Sequence, residues 1–544
     1  MKLFERNAKA LEFDKVLEKL AEFTSCEDAR ENALNLRPES SLAMAQALLN
    51  QTADAHMLLA RFGGPSFGGL KNVNNALSRA NAGSVLNTRE LLDIAGVLRV
   101  IRTLSQWRES NAGVHSVLDP LFNALAPNKY LETAIFNAIV SEDEISDNAS
   151  PALADIRRKI RVQESKVREQ LEKFTRSQTN SKFLQENIIT QRNGRYVVPV
   201  KNEYRSEIAG LVHDTSSSGA TVFIEPMAVV EANNEIRVLQ AKEREEIECI
   251  LYELSVQAGD FAQSIKNSYE CALELNLIFA KAQYAYKIKA MPPILNDSGI
   301  INLRAARHPL IDPKKVVPVD IMLGKDFDTL VITGPNTGGK TVSIKTLGLL
   351  SMMAMCGLMI PAGDRSEISV FDEILSDIGD EQSIEQSLST FSAHMTNIIN
   401  IMNAADSGSL VLIDELGAGT DPIEGAALAI AVIEHARKMG ANVAATTHYA
   451  ELKVYATNEN GIQNASCEFD VETLSPTYRL LVGVPGKSNA FAISERLGLS
   501  KEIIDDAKAR IGVQNASFEA TIEKLEQTRA LLERDRAETC LLYT

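Results

Sequence analysis

The sequence has no cysteine arrangement that could form a metal site or a redox pair. Its 544 residues include six cysteines, at positions 26, 249, 271, 356, 467 and 540, and no two lie closer than 22 positions. Zinc and redox motifs place cysteines only a few residues apart. We therefore expect scattered, reduced core thiols, as in proteins of the cytoplasm.

Long apolar runs are also missing. The longest nearly apolar stretch, 347–360, has 14 residues, whereas a membrane span needs about 18 or more. The first residues, MKLFERNAKALEF, lack the apolar segment of a signal peptide. The sequence predicts a cytoplasmic protein without membrane contact, in which 347–360 is a buried helix.

Positive charge is scarce over the chain as a whole. Lys plus Arg number 56 and Asp plus Glu 72, a net charge of −16, which excludes a polycation that coats nucleic acid. The segment 155–205 is different, with thirteen basic and six acidic residues, a net +7 that leaves −23 on the remainder. This segment is either a basic surface for a polyanion or a solvated helix whose charges pair locally.

What the sequence does contain is a series of segments with different patterns. At about 150 residues per domain, its length predicts three or four domains. Residues 1–150 are mostly helical in pattern, 291–510 alternate β-rich and helical stretches as in a largely parallel sheet, and 511–544 begin a further helical segment.

Residues 151–290 predict a helical arm with a small sheet at its tip. Pro151 suits the start of a charged helix that continues to about residue 185. A narrow apolar stripe, typical of a coiled coil, is formed by Ile156, Ile160, Val167, Leu171 and Phe174. Residues 188–226 have the pattern of strands, with Asn193-Gly194 as a hairpin turn, and a helical run then follows to residue 290.

The stretch GPNTGGKT at 334–341 matches the phosphate-loop pattern GxxxxGK[ST]. A strand-like run, TLVIT, precedes it and a helical stretch follows, which is the context that the motif requires. Lys340 should reach the β- and γ-phosphates and Thr341 should hold Mg²⁺, while backbone N–H groups surround the phosphate oxygens. The candidate ATP-binding residues are Gly334, Pro335, Asn336, Thr337, Gly338, Gly339, Lys340 and Thr341.

Two acids end another buried strand, LVLIDE at 410–415. Asp414 is placed to hold Mg²⁺ through water, and Glu415 is the better candidate for polarising the attacking water. An acid at a strand end can also be an ordinary helix cap, but the upstream phosphate loop favours the catalytic interpretation. His448, in TTHY, can sense the γ-phosphate from the end of a further strand, although a lone histidine is more often a core or surface residue.

A last candidate is the segment IEQSLSTFSAHM at 384–395. Ser389 or Thr390 can cap a helix whose free N–H groups suit a phosphate. From this segment alone, a plain helix cap is the favoured interpretation.

Taken in order, these motifs resemble the ATP-binding-cassette (ABC) style of ATPase. GPNTGGKT, STFSAHM, DELGAGTDP and TTHY are closer still to the MutS family. The stretches 210–226 and 378–395 resemble one branch, the second bacterial type of MutS, which lacks the mismatch-reading domain. The resemblance extends from about residue 1 to 535.

The resemblance implies a multidomain fold that combines α and α/β parts. Residues 1–150 would be a helical core domain, 151–290 lever helices and a coiled-coil clamp arm with a β tip at 188–226, 291–510 an ABC-type P-loop ATPase domain, and 511–544 the start of a coiled-coil linker.

The resemblance also implies a homodimer that uses ATP and Mg²⁺. Ser389 and Thr390 of one subunit would act in trans on the nucleotide of the other, and Asn336 would touch the γ-phosphate. The implied function is a clamp on branched DNA that suppresses homologous recombination. The alternative is an ATPase that binds collided ribosomes and splits them.

Two departures from the family pattern limit these expectations. Members usually continue into a long linker and a C-terminal nuclease domain of the Smr type, with a His-Gly-containing motif. No histidine here is followed by glycine, so we expect a truncated form without endonuclease activity. Phe223-Ile224-Glu225 matches the Phe-x-Glu of mismatch readers, but its place in the arm tip favours ordinary strand sequence.

Overall fold

The computed structural model describes residues 2–334, 339–379, 390–470, 475–486, 490–496 and 498–509. The helices in these ranges are α1 (Lys2–Ala10), α2 (Phe13–Ala21), α3 (Glu27–Leu34), α4 (Leu42–Phe62), α5 (Asn74–Asn81), α6 (Thr88–Ser110), α7 (Asp119–Asn123), α8 (Lys129–Ala138), α9 (Pro151–Arg176), α10 (Met227–Asp260), α11 (Ala262–Ile288), α12 (Lys340–Met355), α13 (Thr390–Ala404), α14 (Pro422–Lys438), α15 (Ala450–Asn458), α16 (Ala490–Arg496) and α17 (Lys501–Ala509).

The strands in the same ranges are β1 (Ile139–Ser141), β2 (Glu144–Ile145), β3 (Thr190–Arg192), β4 (Arg195–Lys201), β5 (Gly210–Thr215), β6 (Thr221–Pro226), β7 (Ile294–Asn296), β8 (Ile301–Ala306), β9 (Val319–Leu323), β10 (Thr329–Thr333), β11 (Glu367–Ser369), β12 (Glu373–Asp377), β13 (Ser409–Ile413), β14 (Asn442–Thr447), β15 (Ile462–Asp470) and β16 (Ser475–Val482). The protein thus combines helical and α/β parts with several sheets, as the sequence predicts. No described helix is long and apolar enough to cross a membrane.

The described residues divide into two compact units. The first unit takes residues up to Gly64, Gly113–Pro120 and residues from Leu273 onward, and the second takes Pro65–Ala112 and Leu121–Ala272. The four domains expected at 1–150, 151–290, 291–510 and 511–544 stay a prediction, and 511–544 lie outside the described residues.

The second unit contains a small antiparallel sheet packed on two long helices. Its strand order is β3-β4-β6-β5, and its apolar side chains join those of α9 and α10 in one core. Asn193 and Gly194 connect β3 to β4 with φ angles of 51° and 73°. Both angles are positive, which is what a tight hairpin turn requires, so the predicted hairpin is confirmed.

Helix α9 ends earlier than the sequence pattern suggests. Ser150 caps its start by accepting a hydrogen bond from the backbone N–H of Leu153, and Pro151 occupies the first turn as predicted. The helix stops at Arg176 rather than near residue 185. The polar run after Arg176 is rich in Ser, Thr and Asn, whose side chains compete for backbone hydrogen bonds, and it includes a 3₁₀ turn at Asn180–Lys182.

The first unit is built on a six-stranded sheet with the order β12-β13-β14-β10-β15-β16. All neighbours are parallel except β15 and β16. A second, four-stranded sheet has the order β7-β11-β8-β9. Parallel strands place their carboxyl ends at one edge, so the segments that follow β10, β12, β13 and β14 converge there.

Helix α12 lies in the core of the first unit. Its residues from Thr346 to Met355 are buried, which confirms the buried helix predicted for 347–360 as far as Met355, whereas 356–360 are not helical. The helix ends at Met355, and Gly357 turns the chain with a φ of 71°. A Cβ there would lie 2.5 Å from the side chain of Leu48 on α4, so this turn requires glycine for its contact as well as its conformation.

Candidate nucleotide-binding site

The predicted phosphate loop connects β10 to α12. Gly334 and Gly339 have φ angles of 132° and 93°, and Gly339 is the residue before the helix. Pro335, Asn336, Thr337 and Gly338 lie outside the described residues. Lys340 and Thr341 form the first turn of α12, where the free N–H groups of a helix favour an anion.

Lys340 is almost completely buried, with 1% of its surface exposed. Its Nζ donates a hydrogen bond of 2.8 Å to the carbonyl of Gly334 and lies 2.7 Å from Nε2 of His448. Burial lowers the pKa of Lys340 to about 8, although the carboxylates of Glu415 and Asp414 oppose this shift. Burial and the neighbouring Lys340 also lower the pKa of His448, so near neutral pH His448 is the acceptor in this pair.

The two residues expected to hold Mg²⁺ lie side by side. Thr341 donates a hydrogen bond of 2.6 Å from its hydroxyl to Oδ2 of Asp414. Thr446, near the end of β14, donates its hydroxyl hydrogen to Oδ1 of Asp414 and accepts the backbone N–H of Glu415 at 2.8 Å. The Asp414 carboxylate is therefore fixed from both sides by hydroxyl groups.

This oxygen pair fits a magnesium ion that is shared with a phosphate. Mg²⁺ prefers oxygen ligands and usually takes one or two protein groups together with phosphate oxygens and water. Among the described residues, no group of three or more His, Cys, Asp and Glu could enclose a metal on its own. The Thr341 hydroxyl and the Asp414 carboxylate supply hard oxygen atoms at the place where the phosphate loop opens into α12.

Glu415 has an unusual backbone conformation. Its φ is 48°, in the left-handed region that costs a non-glycine residue about 1–2 kcal/mol. The side chain is 42% exposed, and its Oε1 lies 3.9 Å from Nε2 of His448, which is 44% exposed. Strained backbone of this kind concentrates at functional sites, and here it accompanies a carboxylate that faces solvent beside the phosphate loop.

A cavity of about 440 Å³ adjoins the first turns of α12. Its wall is mainly apolar and is formed by Ala306, His308, Ile311, Lys315, Val316, Val317, Val319, Gly339, Val342, Ser343, Thr346 and Tyr478. Burial lowers the pKa of His308 to about 4, so this histidine is uncharged at neutral pH. A mainly apolar wall beside the predicted phosphate loop suits an aromatic base.

The segment after the predicted trans helix cap forms α13, which begins at Thr390. Ser389 and the side chain of Thr390 lie outside the described residues. The structure therefore brings together Lys340, Thr341, Asp414, Glu415 and His448, and the contribution of Ser389 and Thr390 stays a prediction.

Sequence reasoning missed Thr446 and Tyr478. Thr446 belongs to TTHY, but only knowledge that β14 lies beside β13 shows that its hydroxyl meets Asp414. Tyr478 lies on β16, far along the chain. Its ring packs against Gly339, where an added Cβ would lie 3.0 Å from it. No local motif marks either residue.

Known proteins similar to this chain identify its family. A family model described as MutS domain V matches residues 330–513. The Endonuclease MutS2 of Ruminiclostridium cellulolyticum is 50% identical over 531 residues, which is 97% of this chain and 67% of that protein. The corresponding proteins of Acetivibrio thermocellus and Clostridium beijerinckii are 48% and 49% identical over 96% and 99% of this chain and 66% and 68% of their own length.

The match to domain V covers the part of the chain that carries the phosphate-loop motif, and the relatives extend the similarity over nearly the whole chain. The chain belongs to the MutS family, in the branch named MutS2, as its motifs predict. It spans about two thirds of the length of these relatives.

Proposed function

We propose that this chain is a Mg²⁺-dependent ATPase of the MutS2 type that works as a homodimeric clamp on branched DNA. One observation carries the ATPase part of the proposal. Lys340, Thr341, Asp414 and Glu415 come from two separate segments and meet, together with His448 from a third, at the carboxyl edge of the parallel sheet. This is where open α/β sheets bind ligands.

Each residue then takes a distinct role. Lys340 would pair with the β- and γ-phosphates, and backbone N–H groups between Gly334 and Thr341 would surround the phosphate oxygens. Thr341 and Asp414 would hold Mg²⁺, Asp414 through water. When bound, Mg²⁺ supplies positive charge that offsets the charge of the transferring phosphoryl group.

Glu415 would orient and polarise the attacking water. Its carboxylate is exposed and close to His448, and no described hydrogen bond ties it to the protein. His448 contacts Lys340, so it is placed to respond when Lys340 transfers its hydrogen bonds to a phosphate. The cavity beside α12 would hold the base of ATP, with Tyr478 and Val316 in its wall.

The solvent exposure of two site residues supports a site that a second subunit covers and completes. Glu415 and His448 are both more than 40% exposed, whereas phosphoryl transfer benefits from exclusion of water. Ser389 and Thr390 would close the site of the partner subunit, and Asn336 would contact the γ-phosphate. Closing and opening of the dimer would follow ATP binding and hydrolysis.

The basic segment 155–205, which comprises most of α9 and strands β3 and β4, would be the part of the arm that contacts the nucleic acid. Several of its basic side chains pair with acids nearby, as in Lys159–Asp155, Lys173–Glu169 and Arg176–Glu172. Exposed pairs of this kind contribute little, about 0–1 kcal/mol each, so a phosphate can compete for the basic partner. The remaining excess of positive charge favours a polyanion.

The first test is steady-state ATP hydrolysis by the purified chain, with four-way-junction DNA and with collided ribosomes. The proposal expects Mg²⁺-dependent turnover that junction DNA stimulates. Stimulation by ribosomes alone would instead make the ribosome the partner. Stimulation by neither, with basal turnover intact, would place partner recognition outside these residues. A Lys340→Met variant provides the inactive control, and equal turnover by that variant would refute the ATPase assignment.

A further inference from the structure

A buried carboxylate lies at the end of β12, next to the candidate magnesium ligand Asp414. Asp377 is the last residue of β12 and is 5% exposed. Its Oδ2 lies 2.9 Å from Nδ1 of His394, and its Oδ1 accepts a hydrogen bond of 2.8 Å from the amide of Asn397. His394 and Asn397 are three positions apart on α13, so both point from the same face of that helix.

The same cluster reaches the N-terminal helix of the first unit. The amide of Asn397 also donates to the carbonyl of Ser376 at 3.1 Å, and the side-chain oxygen of Asn7 accepts the backbone N–H of Ser376 at 3.1 Å. Strand β12 is at the edge of the six-stranded sheet. Asn7 thus satisfies an edge donor that would otherwise lack a partner, and the strand that carries Asp377 is held from outside.

Asp377 also contacts the segment that carries the candidate magnesium ligand. Its backbone carbonyl accepts the N–H of Asp414 at 2.8 Å. Asp377 therefore hydrogen-bonds to α13 through its side chain and to Asp414 through its main chain. A buried carboxylate is costly unless its lone pairs are satisfied, so the position of α13 relative to Asp414 is fixed by strong, directional contacts.

We propose that Asp377 is a positioning residue that fixes α13 so that its N-terminal end can complete the ATP site of the partner subunit. This inference rests on the proposed dimeric ATPase. It adds a specific set of contacts, those of the Asp377 carboxylate with His394 and Asn397, which fixes the position of α13 in space. Its side chain contacts α13 rather than the phosphate loop of its own subunit, and its effect is exerted on the opposite site.

Truncation of Asp377 is the first part of the test. Asp377→Ala removes the acceptor shared by His394 and Asn397 and should lower kcat by about tenfold or more, because a misplacement near 1 Å can cost that much. ATP affinity, measured with a non-hydrolysable analogue, should change by less than about twofold because the phosphate loop of each subunit is untouched.

Two companion variants separate positioning from general damage. Asp377→Asn keeps one oxygen for Asn397 and can donate to His394, so it should restore most of the lost kcat. Glu373→Ala removes an exposed carboxylate at the other end of the same strand and should leave kcat unchanged. His394→Ala should lower kcat, as Asp377→Ala does. Because His394 is 29% exposed, this variant tests the contact with Asp377 even if Asp377→Ala does not fold.

Mixed dimers locate the site on which Asp377 acts. Subunits with two different affinity tags are co-expressed and purified through both tags, and Lys340→Ala marks the subunit that cannot use ATP. In the first arrangement, Asp377→Ala is in one subunit and Lys340→Ala is in the other. The only competent phosphate loop then faces an intact α13, so turnover should match that of a Lys340→Ala/wild-type dimer within about twofold.

In the second arrangement, both substitutions are in one subunit and its partner is wild type. The only competent loop now faces the displaced α13, so turnover should fall about tenfold or more, as in the Asp377→Ala homodimer. The reverse pattern would mean that Asp377 acts in its own subunit through Asp414 and would overturn the proposal. Equal rates in both arrangements would overturn it as well. Wild-type protein without Mg²⁺-dependent turnover would instead refute the proposed function itself.

Discussion

The backbone N–H of Glu415 is bound by Thr446, whereas the Glu415 carboxylate is open to solvent. The hydroxyl of Thr446 accepts the Glu415 N–H and donates to Asp414, so the two neighbouring acids are held differently. Asp414 is bound by two hydroxyl groups, whereas Glu415 is turned toward solvent by a positive φ. In the proposed mechanism, this arrangement would separate the metal ligand, Asp414, from the water-activating base, Glu415.

A Glu415→Gln variant tests this separation. The amide keeps the size of the side chain but cannot polarise water, so kcat should fall by about 100-fold or more while ATP binding is retained. We expect the variant to accumulate as an ATP-bound, closed dimer, measured by size-exclusion chromatography with Mg²⁺ and ATP. Turnover at the wild-type rate would show that another group is the base.

In the proposed site, Lys340 should make nucleotide affinity depend on pH in a defined direction. Its pKa is near 8 without nucleotide, and a bound triphosphate raises it because opposite charge favours the protonated form. Below pH 8 the ammonium is already charged, so its protonation does not change affinity with pH. Above pH 8 the free protein must take up a proton on binding, so affinity should fall by up to about tenfold per pH unit.

Binding of a non-hydrolysable ATP analogue between pH 7 and 10 measures this effect. Lys340→Arg is the matched control, because a guanidinium stays charged over the whole range and its affinity should be independent of pH in this window. A wild-type affinity that stays constant from pH 8 to 9.5 would contradict the assigned role of Lys340.

At the scale of elements, turns and helices with a clear local sequence pattern could be predicted. Contacts that depend on the order of strands in the sheet could not. Asn193-Gly194 and the buried helix α12 follow from turn chemistry and apolar patterning. The end of α9 at Arg176 was missed because side-chain competition in the Ser- and Thr-rich run outweighed the helical period. The links among Asp377, Asp414 and Thr446 required the neighbours of β13 to be known.

The turn after β13 offers a test at this scale. Gly417 has a φ of 86°, and a Cβ there would lie 2.5 Å from the carbonyl oxygen of Gly425. Gly417→Ala should therefore lower the free energy of unfolding by about 2–4 kcal/mol, from backbone strain and overpacking together. It should also reduce turnover, because Glu415 lies two positions away; denaturant unfolding and steady-state ATPase assays measure both effects.

Gly194→Ala is the control for backbone strain alone. Its φ is 73°, and nothing lies within 4 Å of an added Cβ. We expect a loss of about 1–2 kcal/mol in unfolding free energy with basal ATP turnover unchanged. If Gly417→Ala behaved in the same way, the turn would have no influence on Glu415.

At the scale of the whole molecule, an acidic chain would meet a polyanion through a locally basic segment. Lys166 and Arg205 are exposed, and neither makes an ion pair within the described residues. Lys166→Gln with Arg205→Gln should weaken DNA binding and make log affinity fall less steeply with log salt, by about 0.9 in slope for each phosphate that the protein no longer neutralises. Basal ATP hydrolysis should be unchanged.

Fluorescence titration of junction DNA at several salt concentrations measures both quantities. Lys129→Gln removes an exposed charge outside 155–205 in the same unit and should leave the slope unchanged. An equal effect of Lys129→Gln would mean that overall charge, rather than this segment, controls binding.

The order of the six-stranded sheet has a consequence for how the protein is made. Strand β10, which leads into the phosphate loop, pairs on one side with β14 and on the other with β15, and both are synthesised more than a hundred residues later. At about 5–20 residues per second, its apolar run waits for several seconds or longer with both edges unpaired. The nascent chain therefore carries an aggregation-prone strand until β15 is complete.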